Sequence, residues 1–238
     1  MAGRQSKLFS VVLSTCVAAA GFVVATGCGG SNTVSASSLK PLLLPPSVAP
    51  GFHLLRTFDW KDPVNLVSEG FFLPEATHPS DAVKEVRDAD FRGAAGEQLN
   101  RGGPDGDDLR TGVVAFKSDG GANKVRDWMH REDLQQPCFS ECIFSPRNLA
   151  LVGVPGGLAV RQVPSAQPPT PPPGVKLPPG VKAPRVLPGS GPPTRYLAEF
   201  TIGNHLYFLS VTGNAAARAR FVAGVRQYYT RAKGKSGT

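Results

Sequence analysis

Ser37-Ser38-Leu39-Lys40 is the first group whose spacing matches a reaction. A serine three residues before a lysine can be a nucleophile beside its base if both lie on one helical turn of a large domain. Here the group stands just before Pro41, in a segment that reads as a tether, so the spacing is expected to be chance. Glu69, Glu75 and Glu199 are candidate acid–base carboxylates, but no spacing brings two of them across a cleft as glycosidase chemistry requires. Glu199 stands out as the one acid in a basic half, and a surface ion pair with a nearby arginine is its expected role. Asp105, Asp107 and Asp108 crowd one turn without the spacing of a calcium loop. His53, His78, His130 and His205 are scattered singly, and none forms a metal-ligand pair. There is no Gly-x-Ser-x-Gly elbow and no phosphate-cradling loop ending in Lys-Ser or Lys-Thr. The sequence therefore nominates no catalytic residue, no metal site and no cofactor.

The N-terminus carries an address. Arg4 and Lys7 precede an uncharged apolar run from Leu8 to about Thr26, and no acid occurs before Asp59. That is the pattern of a secretory signal, although a run of about 20 apolar residues also suffices to span a bilayer. The run ends in Ala25-Thr26-Gly27-Cys28-Gly29-Gly30. Small residues before a cysteine resemble the lipobox of bacterial lipoproteins, with Ala25 where leucine is commonest. The resemblance covers residues 1–30 alone. It implies a diacylglyceryl thioether on Cys28 and cleavage after Gly27. It thus implies an exported protein, held by lipid at the outer face of the cell membrane or in the periplasm. Two acyl chains anchor stably where one is marginal.

Cysteine use agrees with that address. With Cys16 in the signal and Cys28 lipidated, Cys138 and Cys142 remain. Outside the cytosol the simplest reading is a disulfide. Free thiols are the alternative, as is a zinc site with His130 that lacks a fourth ligand. A ring this small contributes only about 2 kcal/mol of chain entropy, enough to pin a loop.

Charge divides along the chain. Residues 28–142 hold 12 Lys and Arg against 17 Asp and Glu, a net of −5. Residues 143–238 hold 12 basic residues against one acid, a net of +11. Either the halves fold together and neutralise each other, or a basic face meets anionic lipid or wall polymer. The candidates for such a face are Arg226, Arg231, Lys233 and Lys235, with Lys176, Lys182 and Arg185 behind them. Aromatic residues are few, which argues against single-stranded nucleic acid.

The elements that must position these groups read as a single α+β domain over residues 51–233. A signal peptide (1–27) and a flexible tether (28–50) precede it, and a short tail (234–238) follows. Strands are expected over 52–58 and 64–73, a helix over 79–90, and a hairpin from 91–99 and 109–117. Ser118 and Asp119 can cap the next helix, on which Asp127 and Arg131 stand four apart as a potential pair. A hairpin is expected from 148–154 and 158–163. A Pro-rich, basic, disordered insertion at about 164–194 follows. A third hairpin turns at Gly203-Asn204, and a last helix covers 214–232. Short turns make the sheet mostly antiparallel, with about three helices packed on one face. The expectation is a non-catalytic binding or accessory module. The alternative is a hydrolase-type envelope enzyme whose site assembles only in three dimensions.

Overall fold

A computed structural model describes residues 33–69, 78–102, 107–135, 144–164, 193–213 and 216–236. The signal peptide, Cys28, Cys138, Cys142, and most of the Pro-rich insertion with Lys176, Lys182 and Arg185 lie outside them.

The strands are β1 (His53–Trp60), β2 (Phe91–Arg101), β3 (Asp107–Phe116), β4 (Phe144–Asn148), β5 (Leu158–Pro164), β6 (Thr194–Ile202) and β7 (His205–Gly213). They form one antiparallel sheet in the order β1-β2-β3-β7-β6-β5-β4. The helices are α1 (Ala36–Leu39), α2 (Pro63–Ser68), α3 (Pro79–Asp88), α4 (Asp119–Gln135) and α5 (Ala217–Ser236). The class is α+β, with five α-helices among the described residues where about three were expected.

Those helices cover both faces of the sheet instead of one. Alternation along β6 shows why: Tyr196, Ala198 and Phe200 join the core beneath α5, while Glu199 points to the other side, toward α4. The α5 core also contains Leu99, Leu109, Val211, Phe221, Val225 and Tyr228. The opposite core joins Trp60, Leu66, Val86, Val114, Phe116 and Trp128 through α2, α3 and α4. Both strand faces are apolar, so each must be covered.

The flexible tether does not extend through residue 50. Val34 donates to the Arg92 carbonyl, and Ala36, Leu39, Leu43 and Leu44 are buried beside α5. Two 3-10 turns, Lys40–Leu42 and Pro46–Val48, carry the segment across the sheet. Its apolar side chains repay the entropy of ordering it. Gly93 permits the contact, since a Cβ there would lie 2.3 Å from the Val34 carbonyl oxygen.

Two strand expectations fail for local reasons. Residues 63–68 form helix α2, because Asp62 accepts from the Asn65 N–H at 2.9 Å and Pro63 occupies the first turn. Capping and a well-placed proline outweigh the β-branched character of Val64 and Val67. The partner of β5 is Phe144–Asn148, not residues 148–154. Pro146 is tolerated there because β4 is an edge strand. Asp127 pairs with neighbouring Arg126 at 2.7 Å, not with Arg131.

Candidate functional site

A cavity of about 410 Å³ opens between the N-terminal segment and α5. Leu44, Ala49 and Phe52 form one wall and Leu109 its floor. Helix α5 contributes Arg220, Ala223, Gly224 and Gln227, one stripe at helical spacing. The adjacent stripe of Phe221, Val225 and Tyr228 enters the core. Small residues at 223 and 224 leave the helix face low, and the space above them is the cavity. At one end Arg220 is ion-paired to the buried Asp107. Gly213 makes room for that carboxylate, as a Cβ there would lie 2.0 Å from Asp107 Oδ1. The polar pole is therefore a neutral pair. Mostly apolar walls with few polar groups are what a small-molecule site requires.

Of the acids at the β2–β3 turn, Asp107 and Asp108 are thus engaged by arginines, and Asp105 lies outside the described residues. Asp108 accepts from Arg110 at 2.8 Å and from Gln98 at 2.9 Å. Among the described residues no group of His, Cys, Asp and Glu is placed to hold a metal ion.

Glu199 is not on the surface. It is 1% exposed, beneath α4, hydrogen-bonded to Asp133, with Arg126 and Arg195 near enough to act on it electrostatically. Burial first, and then the neighbouring Asp133 charge, push its carboxyl well above the usual value. Its Oε2 lies 3.9 Å from His130 Nδ1. Partial burial lowers the His130 pKa and favours the neutral ring. His130 Nε2 meets Asn148 Oδ1 at 2.9 Å, and Gln162 donates to the Asp133 carbonyl at 3.2 Å. His130 and Asp133 share one face of α4 by their spacing of three, and β4, β5 and β6 supply the other members of this cluster. The sequence offered one clue, the solitary acid in a basic half.

The basic residues expected to meet an anionic surface lie on α5. Arg226 donates to the Val152 carbonyl at 3.0 Å and Arg231 to the Pro41 carbonyl at 3.0 Å; both remain exposed. Lys233 and Lys235 are exposed in the last turn. Helix α5 runs from Arg220, at Asp107, past Tyr228, whose hydroxyl donates to the Gly112 carbonyl at 2.9 Å. Its final turns continue about 12 Å toward the Phe116 end of β3. Val34 docks at that same end, where Phe91 faces Phe116. The cavity lies toward the opposite end, about 20–25 Å away along β2.

Other candidates stay separate. Ser37 and Ser38 do fall on a helical turn, α1, but both are exposed, with hydroxyls directed to Ser35. Glu69 accepts from the Trp60 indole at 3.1 Å. His53 and His78 are exposed, and His205 lies beside Tyr207 with burial lowering its pKa. Among the described residues no helix is long and apolar enough to cross a membrane.

No family model and no curated protein matches the sequence. Among solved structures, the extracellular domain of PknH from Mycobacterium tuberculosis is similar at a TM-score of 0.49 and 11% identity, over 85% of this chain and 100% of that one.

Proposed function

We propose that the chain is a lipid-anchored protein of the cell envelope that binds a small, largely apolar, uncharged molecule without turning it over. The cavity between the N-terminal segment and α5 carries this reading. Its volume of about 410 Å³ suits a small ligand. Its walls are Leu44, Ala49, Phe52 and Leu109, and its single charged wall residue, Arg220, is already neutralised by Asp107. A charged ligand would have to break that pair. A neutral one with a hydroxyl or carbonyl gains a hydrogen bond at no such cost.

The lipobox-like junction at Cys28 and the exposed Arg226, Arg231, Lys233 and Lys235 support the second part of the reading. The chain enters the fold at the end toward which the basic last turns of α5 point. Juxtamembrane cations each add about 1 kcal/mol near an anionic surface. In that orientation the cavity faces away from the membrane.

The test uses residues 32–238, which form one compact unit. A neutral naphthylamine dye should bind saturably and brighten. Ala223→Trp, which adds a ring at the exposed rim of the cavity, should abolish the signal while leaving the melting temperature in place. Dye binding unaffected by the ring would refute the site. The hydrolase alternative would rest on Glu199, Asp133 and His130, but the two carboxyls of that cluster are buried under α4 and none of the three lines the cavity.

A further inference from the structure

One row of cross-strand neighbours runs through the face beneath α5: Leu99, Leu109, Val211 and Tyr196, then Arg161 and Arg147. The first four are core residues covered by α5 and the N-terminal segment. The last two are the only charged members of this stretch, and they stand directly opposite each other on β5 and β4. Like charges directly opposite in an antiparallel pair are destabilising. Among the described residues neither guanidinium has an acidic partner, and Arg161 Nε is buried with no hydrogen bond. Nor does this part of the chain supply a counter-charge. The one acid of residues 143–238 is Glu199, and it is buried on the other face of the sheet.

We propose that Arg147 and Arg161 form an anion site that takes a phosphate group. Two guanidiniums on Cα atoms about 5 Å apart present forked donors to one tetrahedral oxyanion. A doubly charged phosphate matches two positive charges and removes the repulsion between them. It also satisfies the orphaned Arg161 Nε–H. Arg147 is exposed on the edge strand, so the site is open from solvent. This site is distinct from the apolar cavity and does not depend on it.

The experiment is calorimetric titration of the full chain, in uncharged detergent, with inorganic pyrophosphate at low ionic strength. Wild type should bind saturably. Arg147→Gln and Arg161→Gln should each weaken binding about tenfold or more, the loss expected for a charge-assisted hydrogen bond. Arg147→Lys should fall between, since it keeps the charge and loses the fork. Because Arg147 is exposed, Arg147→Gln should fold, and without phosphate its melting temperature should match or exceed that of wild type. Neutral vesicles doped with phosphatidic acid separate the two sources. Retention on them that Arg147→Gln removes assigns the phosphate to a lipid headgroup. Pyrophosphate binding without vesicle retention assigns it to a solute. No binding by wild type, or binding by both glutamine variants as tight as that of wild type, overturns the proposal.

Discussion

Glu199 on β6 and Asp133 on α4 are hydrogen-bonded to each other in the buried layer between helix and sheet. Two carboxyls this close resist ionising together, so Glu199 holds its proton to a higher pH than an ordinary glutamate does. Arg126 and Arg195 temper the remaining charge.

A pH dependence follows from that proton. Glu199 titrates in the fold well above its ordinary 4.5, so between those values the folded chain holds more protons than the unfolded one. Stability is therefore lost as pH rises through that window. Glu199→Gln keeps a donor toward Asp133 and carries no charge. Denaturant melts across pH should show the loss with rising pH reduced in this variant. An unchanged slope would contradict the burial described for Glu199.

His130 acts in the opposite sense. Its folded pKa lies below 6.5, so the unfolded chain binds the proton more readily, and stability falls as pH drops through that range. His130→Gln should flatten the loss with falling pH while leaving the Glu199 loss with rising pH intact. The same melts record both variants, and a loss with falling pH as steep as that of wild type would contradict the partial burial of the ring.

How much of this is legible in the sequence depends on the reach of the signals. The hairpin at Gly203-Asn204, helices α3 and α4, and the α+β class come from periodicity, caps and turn residues, all local. Helix α2 is hidden because Val64 and Val67 suggest a strand more strongly than Asp62 and Pro63 suggest a helix start. Thr33 to Pro50 looks like a tether because its apolar residues, Leu39, Leu43 and Leu44, have no period of their own. They are ordered by the α5 core, which is far away in sequence. Glu199 stands out by its loneliness, yet no local pattern reports its burial opposite Asp133. The stripe of Phe221, Val225 and Tyr228 is readable, whereas the cavity stripe of Arg220, Ala223, Gly224 and Gln227 has meaning only once Leu44 and Phe52 stand opposite.

The docked N-terminal segment makes a direct prediction. Leu44 is 2% exposed, and its truncation leaves a hole beside α5. Leu44→Ala should cost about 2–4 kcal/mol of unfolding free energy. An exposed tether would lose almost nothing, so a change below about 0.5 kcal/mol would return these residues to solvent.

Lipidation is checked in the producing cell. Cys28→Ala should abolish metabolic labelling with fatty acid and leave the precursor uncleaved or release the chain. Labelling that persists in this variant would remove the lipid anchor.

The most direct measurement of the central claim is native mass spectrometry of the protein purified from its own envelope. One bound small molecule per chain is expected, uncharged and largely apolar, present on wild type and missing from Ala223→Trp. Its mass should be unchanged after prolonged incubation with the protein. A chain that carries nothing, a ligand retained by Ala223→Trp, or a molecule converted during incubation would contradict binding without turnover in the cavity between the N-terminal segment and α5.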